Sequence, residues 1–151
     1  MASKYVSSLN GTLTPAVGDQ PIASQSSRGM LRYIDELYEM DGTESDADVI
    51  YIARLYAGEK VLAQLSDIDI EVDLAGASTT LNIGDTDGSG DQDRYATVLD
   101  ASAAARVAFD ETHKAAEHVI TEDCWLTAKF AVINTPAAAG QVRFRVVVRM
   151  P

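Results

Sequence analysis

The sequence predicts an all-β fold, a sandwich or a barrel, and three observations carry the prediction. Residues 67–74 alternate strictly, with Ile68, Ile70, Val72 and Leu74 set against Asp67, Asp69, Glu71 and Asp73. Residues 142–150 repeat the pattern with opposite charge: Val142, Phe144, Val146, Val148 and Met150 share one face, and Arg143, Arg145, Val147 and Arg149 the other. Short β-branched or aromatic runs recur elsewhere, separated by Gly, Pro, Asp and Ala. A period of two means a strand with one buried and one polar face; a helix would scatter the same apolar groups around its circumference. About six to eight such strands with turns between them fit two packed sheets or one closed sheet.

Taken in order, residues 1–27 read as an extended N-terminal arm. They are rich in Ser, Thr, Gly, Ala and Gln and contain Pro15 and Pro21. Their apolar residues, Val6, Leu9, Leu13, Val17 and Ile22, are sparse and lack a helical period. Such a segment buries too little apolar surface to offset the entropy of ordering it. It is expected to take its structure from a neighbour, with Val6, Leu9, Leu13 and Ile22 as the side chains that fill a partner's pockets. Residues 28–151 have the composition of one folded β domain. Residues 31–40 fit either a helical stripe (Leu31, Ile34, Leu37, Tyr38) or an alternation, and strand is preferred because the neighbouring segments are strands. Residues 49–56 predict a strand ending at Ala57-Gly58. Residues 61–65 predict another, bending at Ser66 into the run from Asp67. A further strand over 79–83 follows the turn Ala75-Gly76-Ala77. In 101–120 the alanines favour helix, while 107–109 and 119–120 look like strand pieces, so a brief helix between two edge strands is expected. Leu126, Ala128, Phe130 and Val132 alternate with Thr127, Lys129, Ala131 and Ile133, and 136–140 form a turn, so 125–149 read as a hairpin. The inward set is then Ile68, Ile70, Val72, Phe130, Val132, Phe144, Val146 and Val148.

Composition bounds the function. A chain of 151 residues has the length of one domain and can bury a real core without disulfides or metals. Its net charge of -11 argues against nucleic acid or an anionic membrane as partner, since both need clustered Lys and Arg. Proteins or cations are the expected partners. Cys124 is the one cysteine, which excludes an internal disulfide and a multi-cysteine zinc site. No run approaches the roughly 18 apolar residues of a membrane helix. The first ten residues lack a signal-peptide core, so synthesis in the cytoplasm is expected and Asn10-Gly11-Thr12 reads as a chance glycosylation match.

One loop has metal-site spacing. In residues 85–93, the oxygen-bearing Asp85, Asp87, Ser89, Asp91 and Asp93 fall at positions 1, 3, 5, 7 and 9, with Gly90 at position 6. This is how the first half of an EF-hand loop wraps calcium. Ala96 stands where the twelfth-position Glu belongs, so an acidic turn is the simpler reading and calcium the second. The carboxylate row Asp67, Asp69, Glu71 and Asp73 reads as a solvated face, as a cation or basic-partner surface, or as the neighbour of the Arg143, Arg145 and Arg149 face through cross-strand pairs. His113 and His118 are five apart and Cys124 lies six further on, a weak metal constellation. Gly58-Glu59-Lys60 lacks the earlier glycine of a phosphate loop, and no serine sits in a Gly-x-Ser-x-Gly elbow. Trp125 and the six tyrosines would stack sugars or fill a core. No catalytic residue is assigned, and a non-enzymatic role without a cofactor is expected.

Several segments together resemble a family. Tyr5-Val6-Ser7-Ser8-Leu9, Leu13-Thr14-Pro15 and Arg28-Gly29-Met30-Leu31-Arg32 resemble the starts of small tailed-phage virion proteins. Asp48-Val49-Ile50-Tyr51-Ile52-Ala53-Arg54-Leu55, followed by Ala57-Gly58-Glu59-Lys60-Val61-Leu62, is similar to their D-x-I-x-L-x-R-L-P-x-G-x-x-V segment, with Tyr56 in place of Pro. Gly76-Ala77-Ser78-Thr79-Thr80-Leu81-Asn82-Ile83-Gly84-Asp85 and Asp91-Gln92-Asp93-Arg94-Tyr95 resemble their G-A-S-T-T-L-D-I-G-D…D-x-D-R-Y, and Ala137-Ala138-Ala139-Gly140 is similar too. The resemblance spans most of the chain and implies a jelly-roll-like β-sandwich. It also implies a capsid decoration, or cement, protein that binds the major capsid protein on the outer surface of a phage head, as a homotrimer. Competing readings are a head-fibre base or tail component of the virion, and a calcium-dependent carbohydrate-binding module.

Overall fold

The computed structural model describes residues 3–5, 30–40, 42–70, 79–101, 104–109, 118–133 and 140–151. Its strands are β1 (Ser3–Tyr5), β2 (Leu31–Glu39), β3 (Val49–Leu55), β4 (Lys60–Val61), β5 (Asp67–Ile70), β6 (Thr80–Asp85), β7 (Asp91–Asp100), β8 (Arg106–Ala108), β9 (Cys124–Val132) and β10 (Gln141–Arg149). One 3-10 turn, Ala63–Leu65, separates β4 from β5. No helix among the described residues is long and apolar enough to cross a membrane.

The strands form two sheets packed face to face. One runs β1-β3-β9-β6-β7; the other runs β2-β10-β5-β8, with β4 also on β10. All pairs are antiparallel except β1 with β3. With the short β1 and β4 set aside, the other eight strands fall as first, eighth, third, sixth in one sheet and second, seventh, fourth, fifth in the other. This nesting of two Greek keys is the jelly roll. Among these eight, strands adjacent in the chain therefore lie in opposite sheets, except β6 and β7.

The core lies between the sheets. Ile50, Ile52 and Leu55 of β3, Leu81 and Ile83 of β6, and Leu126, Ala128 and Phe130 of β9 come from one side. Ile34 and Tyr38 of β2, Ile68 and Ile70 of β5, and Val142, Phe144, Val146 and Val148 of β10 come from the other. The expected inward set is thus found at Ile68, Ile70, Phe130, Phe144, Val146 and Val148, while Val72 lies outside the described residues.

Several expectations need correction. Residues 125–149 are not a hairpin: β9 and β10 lie in opposite sheets. Alternation says which face of a strand is buried, not which strand it pairs with, and the residues between them suffice to cross the ~10 Å between packed sheets. Val132 points outward, 42% exposed, because β9 steps two residues for one of β6 between Phe130 and Val132. That bulge reverses the faces, so Ile133 packs against the core instead. Residues 61–65 form no strand beyond Val61, since Leu65 N–H and Ser66 N–H bond back to Leu62 and Ala63 and close the 3-10 turn. Val119-Ile120 is no strand either. Ile120 instead exchanges two backbone hydrogen bonds with Gly58 and Glu59. The strand piece near 107 is found as β8, and residues 31–40 are strand, as preferred. The brief helix between 109 and 119 lies outside the described residues.

Strand β7 was not foreseen. Its buried residues Tyr95, Ala96 and Leu99 break the period of two, because the β6–β7 register shifts twice and Val98 takes a left-handed φ of 52°. A β-branched residue is strained there. Val98 N–H is held by the Asn82 side chain at 2.8 Å.

The two faces of β5 yield a stability prediction. Ile70→Asp places an unpaired carboxylate between the sheets and should cost about 4 kcal/mol or leave the chain unfolded. Asp69→Val removes one outward ion pair and should stay within about 1 kcal/mol of the parent. Urea denaturation of both variants checks the order, and equal costs would contradict this packing.

Candidate functional site

The residues expected to carry chemistry lie at two places: one end of the sandwich, and the outward face of the β2-β10-β5-β8 sheet. At the end, the segment 118–123 is bonded on one side to the loop between β6 and β7 and on the other to the turn after β3. Gly84 lets this happen. A Cβ on Gly84 would stand 1.9 Å from the Asp91 carbonyl oxygen, so only glycine lets β7 fold back so tightly. Gly88 and Gly90 take positive φ angles that suit glycine and shape the tip.

The five residues of the candidate calcium loop separate into different roles. Asp85 is buried and faces inward. Tyr95 donates its hydroxyl to Asp85 Oδ2 at 2.6 Å, Arg94 Nε lies 2.8 Å from the same oxygen, and Asp87 N–H donates to Oδ1 at 3.0 Å. Asp87, also buried, turns the other way. Its carboxylate accepts the Thr121 hydroxyl at 2.7 Å, the Thr121 N–H, the Glu122 N–H at 3.0 Å and a contact from His118 Nε2 at 3.0 Å. Asp91 Oδ1 accepts the Asp93 N–H at 3.3 Å. Ser89, at the exposed tip, and Asp93 complete the set. The two buried carboxylates are thus occupied by protein donors. Among the described residues no three His, Cys, Asp or Glu side chains gather as a metal-holding group.

Charge and burial tune this cluster. Burial alone would raise the Asp87 carboxyl, but the Thr121 hydroxyl and backbone, the Glu122 backbone and His118 outweigh it, and the group titrates below its usual range. Tyr95 is pushed far above the usual phenol by burial and by the Asp85 charge. Cys124 is pushed up to about 12 by burial, with Asp85 and Asp87 adding to it. His118 sits between an arginine and a carboxylate: Arg94 Nη1 approaches Nδ1 at 3.0 Å. Guanidinium only donates, so Nδ1 accepts and Nε2 carries the proton given to Asp87. His113 lies outside the described residues, so the His113–His118–Cys124 grouping is represented here by His118 and Cys124 alone. Chemically, the network binds the loop 86–90 to the segment 118–122.

The same end is tied to both sheets. Glu59, 1% exposed, receives Arg32 of β2 through Nε at 3.1 Å and Nη2 at 2.7 Å, and also the Tyr56 N–H at 2.9 Å. Arg32 Nη2 reaches the Arg54 carbonyl as well, at 2.9 Å. Gly58-Glu59-Lys60, which lacked a phosphate-loop pattern, is therefore a structural corner. Trp125 and Tyr51 meet edge to face, 5.7 Å between centroids, and the Arg54 guanidinium covers the Trp125 ring at 5.1 Å.

On the outward face, the carboxylate and arginine rows lie side by side. Residues 142–145 pair with residues 67–70 in antiparallel register. Arg145 donates to Asp67 and Asp69, both at 2.9 Å, Arg106 of β8 adds a bond to Asp67, and Arg143 reaches Asp35 of β2 at 3.1 Å. Asp67 is only 4% exposed, so the solvated reading fails for it. Glu71 and Asp73 lie outside the described residues, as do the arm contacts Val6, Leu9, Leu13 and Ile22. Of the arm, β1 is seen, paired parallel with the outer edge of β3.

No family model matches the chain. No curated protein matches it either. Its fold is similar to a chain in the capsid of Ralstonia phage GP4, at 14% identity and a TM-score of 0.66, over 87% of this chain and 90% of that one. It is also similar to a chain of the cyanophage Pam1 capsid asymmetric unit, at 22% identity and a TM-score of 0.63, over 91% of this chain and 100% of that one. Identities this low establish the likeness of fold.

Three measurements test the site. Asp87→Asn should lower stability at neutral pH by about 2–3 kcal/mol, since several donors lose a charged acceptor. A carboxyl lowered in the folded state stabilises above its ordinary pKa of 3.8 and stops doing so as the pH falls through the lowered value. The gap between parent and Asp87→Asn should hold steady above about pH 5 and close in stronger acid; a gap that widens with acid would contradict this. Cys124 should ignore thiol reagents at pH 7 while the chain is folded and react once it is unfolded. Millimolar calcium or chelator should leave the melting temperature unchanged, because protein donors already fill the carboxylates a calcium ion would need; a rise with calcium would restore the EF-hand-like reading.

Proposed function

We propose that this chain is a structural component of a tailed-phage virion, a decoration or cement protein that binds the outer surface of the major capsid protein shell and stabilises it. The observation that carries the reading is the whole-length match of the jelly roll to two chains from phage capsids. Because the match covers 90% and 100% of those chains, the likeness is to entire chains rather than to one domain of a larger protein. The sequence segments that resemble small phage virion proteins support it independently.

The charge distribution fits an outer position. Residues 1–29 hold two basic residues and one acidic, which leaves ten basic and 22 acidic residues on 30–151. An acidic domain is repelled by packaged nucleic acid and keeps well in solvent outside the shell. The arm, residues 1–27, is then the part that attaches, with Val6, Leu9, Leu13 and Ile22 in pockets of the partner. Extended segments bind weakly per contact because ordering them costs entropy. A homotrimer on three-fold positions of the head would offset that weakness, since each attached arm raises the effective concentration of the next. The chain is made in the host cytoplasm and carries no cofactor in this role.

Co-sedimentation tests the proposal. Purified full chain mixed with capsids that lack it should pellet with them near capsid-protein stoichiometry. A chain lacking residues 2–27 should bind at least about tenfold more weakly, the loss of a few apolar contacts of roughly 1 kcal/mol each. A full chain that stays in the supernatant would refute the decoration role. A truncated chain that binds as tightly as the full one would show that the arm is not the anchor.

A further inference from the structure

Exposed apolar side chains gather at one corner of the β2-β10-β5-β8 sheet. Leu31 and Tyr33 point outward from the start of β2, and Leu65 points outward from the 3-10 turn; each is more than half exposed. Val147 of β10 lies between them. It pairs with Tyr33 on one side, and on the other its backbone bonds Leu62 and Ser66, which bracket the turn. Met30, where the N-terminal segment joins the domain, is exposed beside Leu31, and its carbonyl accepts the Met150 N–H. The other large apolar residues exposed among the described residues are single valines in separate elements: Val98 on β7, Val119 in the segment 118–122 and Val132 at the end of β9.

The same corner holds an electrostatic conflict. The register sets Lys60 of β4 directly opposite Arg149 of β10 on the outward face. Like charges directly opposite on neighbouring strands destabilise a sheet. Leu31 completes the row, opposite Arg149 on β2. Further along this face Arg143, Arg145 and Arg106 each hold a carboxylate. Arg149 is exposed and has no carboxylate partner among the described residues. Residues 30–151 hold 22 acidic and ten basic residues, so carboxylates are plentiful, yet none of those described is set on Arg149. An apolar cluster around such a cation pair fits a partner that brings a carboxylate among apolar groups. A nucleic acid would meet the negative charge of the rest of the domain. Two copies meeting by this face would bring both cation pairs into one interface, and the scattered valines offer no matching cluster elsewhere on the chain.

We propose that this corner, Leu31, Tyr33, Val147 and Leu65 around Lys60 and Arg149, seats a segment of the shell protein in which a carboxylate stands among apolar side chains. The proposal rests on the decoration reading and deepens it by naming the face of the domain turned to the shell. The apolar groups leave water on contact, and the carboxylate relieves a repulsion between Lys60 and Arg149 that the free chain carries. The N-terminal segment joins the domain at Met30, beside the patch, so arm and sheet meet the same neighbour. A chain without the arm keeps this second contact, so its binding is weakened instead of abolished.

Charge reversal on the full-length chain tests this, read by co-sedimentation with DNA-free capsids that lack the chain. Arg149→Glu should pellet at least about tenfold more weakly than the parent. Its melting temperature should not fall, because a carboxylate then faces Lys60 in place of a cation. Tyr33→Ser should also weaken pelleting. Lys129→Glu makes the same change of charge on the outward face of the other sheet and should pellet like the parent. An Arg149→Glu chain that pellets like the parent would overturn the seat and leave the decoration role standing. An equal loss with Lys129→Glu would trace the effect to net charge and overturn it too. So would pelleting that requires DNA in the capsids, or a several-copy mass in light scattering that Arg149→Glu reduces to one copy, which would assign the face to a contact between copies. A parent that stays in the supernatant would overturn the decoration role, and this seat with it.

Discussion

Strand β10 is the member on which the sandwich depends. Val142, Phe144, Val146 and Val148 stand on its inward face with no solvent exposure. Both of its edges are bonded: β2 along all nine residues on one side, β5 and β4 on the other. Burying four such side chains contributes about 6–12 kcal/mol against exposure, comparable to the net stability of a whole domain. Its outward face extends the same control. Arg143 holds Asp35 on β2 and Arg145 holds Asp67 and Asp69 on β5, so one strand fixes the register of both neighbours by charge as well as by backbone. Charge pairs between partly exposed groups add little stability each. Their value here is in selecting one register, since a slip of one residue would set arginine beside isoleucine.

The jelly roll imposes a second constraint. Consecutive strands cross from sheet to sheet, so the ends of the sandwich are closed by loops that no ladder holds. Asp87 meets that need at one end, where its carboxylate gathers the Thr121 and Glu122 backbone and the His118 ring. Asp85, just before it, does the same toward the interior through Tyr95 and Arg94. Glu59 and Arg32 secure the corner beside them. A loop rich in carboxylates is here a fastening made from the inside, with Asp85 and Asp87 both holding protein donors.

Much of the fold was legible in the sequence, for a physical reason that also sets the limit. Period-two alternation is dictated by one buried face, so 67–70 and 141–149 could be read directly. The same alternation carries no information about partners, and the assignment of β9 and β10 to one hairpin failed there. Bulges hid the rest. A two-for-one step turned Val132 outward, and the left-handed Val98 broke the pattern of β7 so that a ten-residue strand went unread. In the site, the acidic spacing of 85–93 was visible, but Thr121 and His118, which complete it, lie some thirty residues away and become neighbours only through the topology. The pairing of the Asp67 and Arg145 rows was legible because opposite charges at matching period two invite adjacent strands.

Fold, charge and arm are the grounds of the proposed function, in which an acidic jelly roll sits outside a phage shell and is attached by its N-terminal segment. A cryo-EM reconstruction of the virion that carries this chain tests it most directly. The account predicts a two-sheet domain of this topology on the outer face of the head, at three-fold positions, with the first 27 residues lying along neighbouring subunits. Density for the domain inside the shell, in the tail, or nowhere on the particle would contradict it.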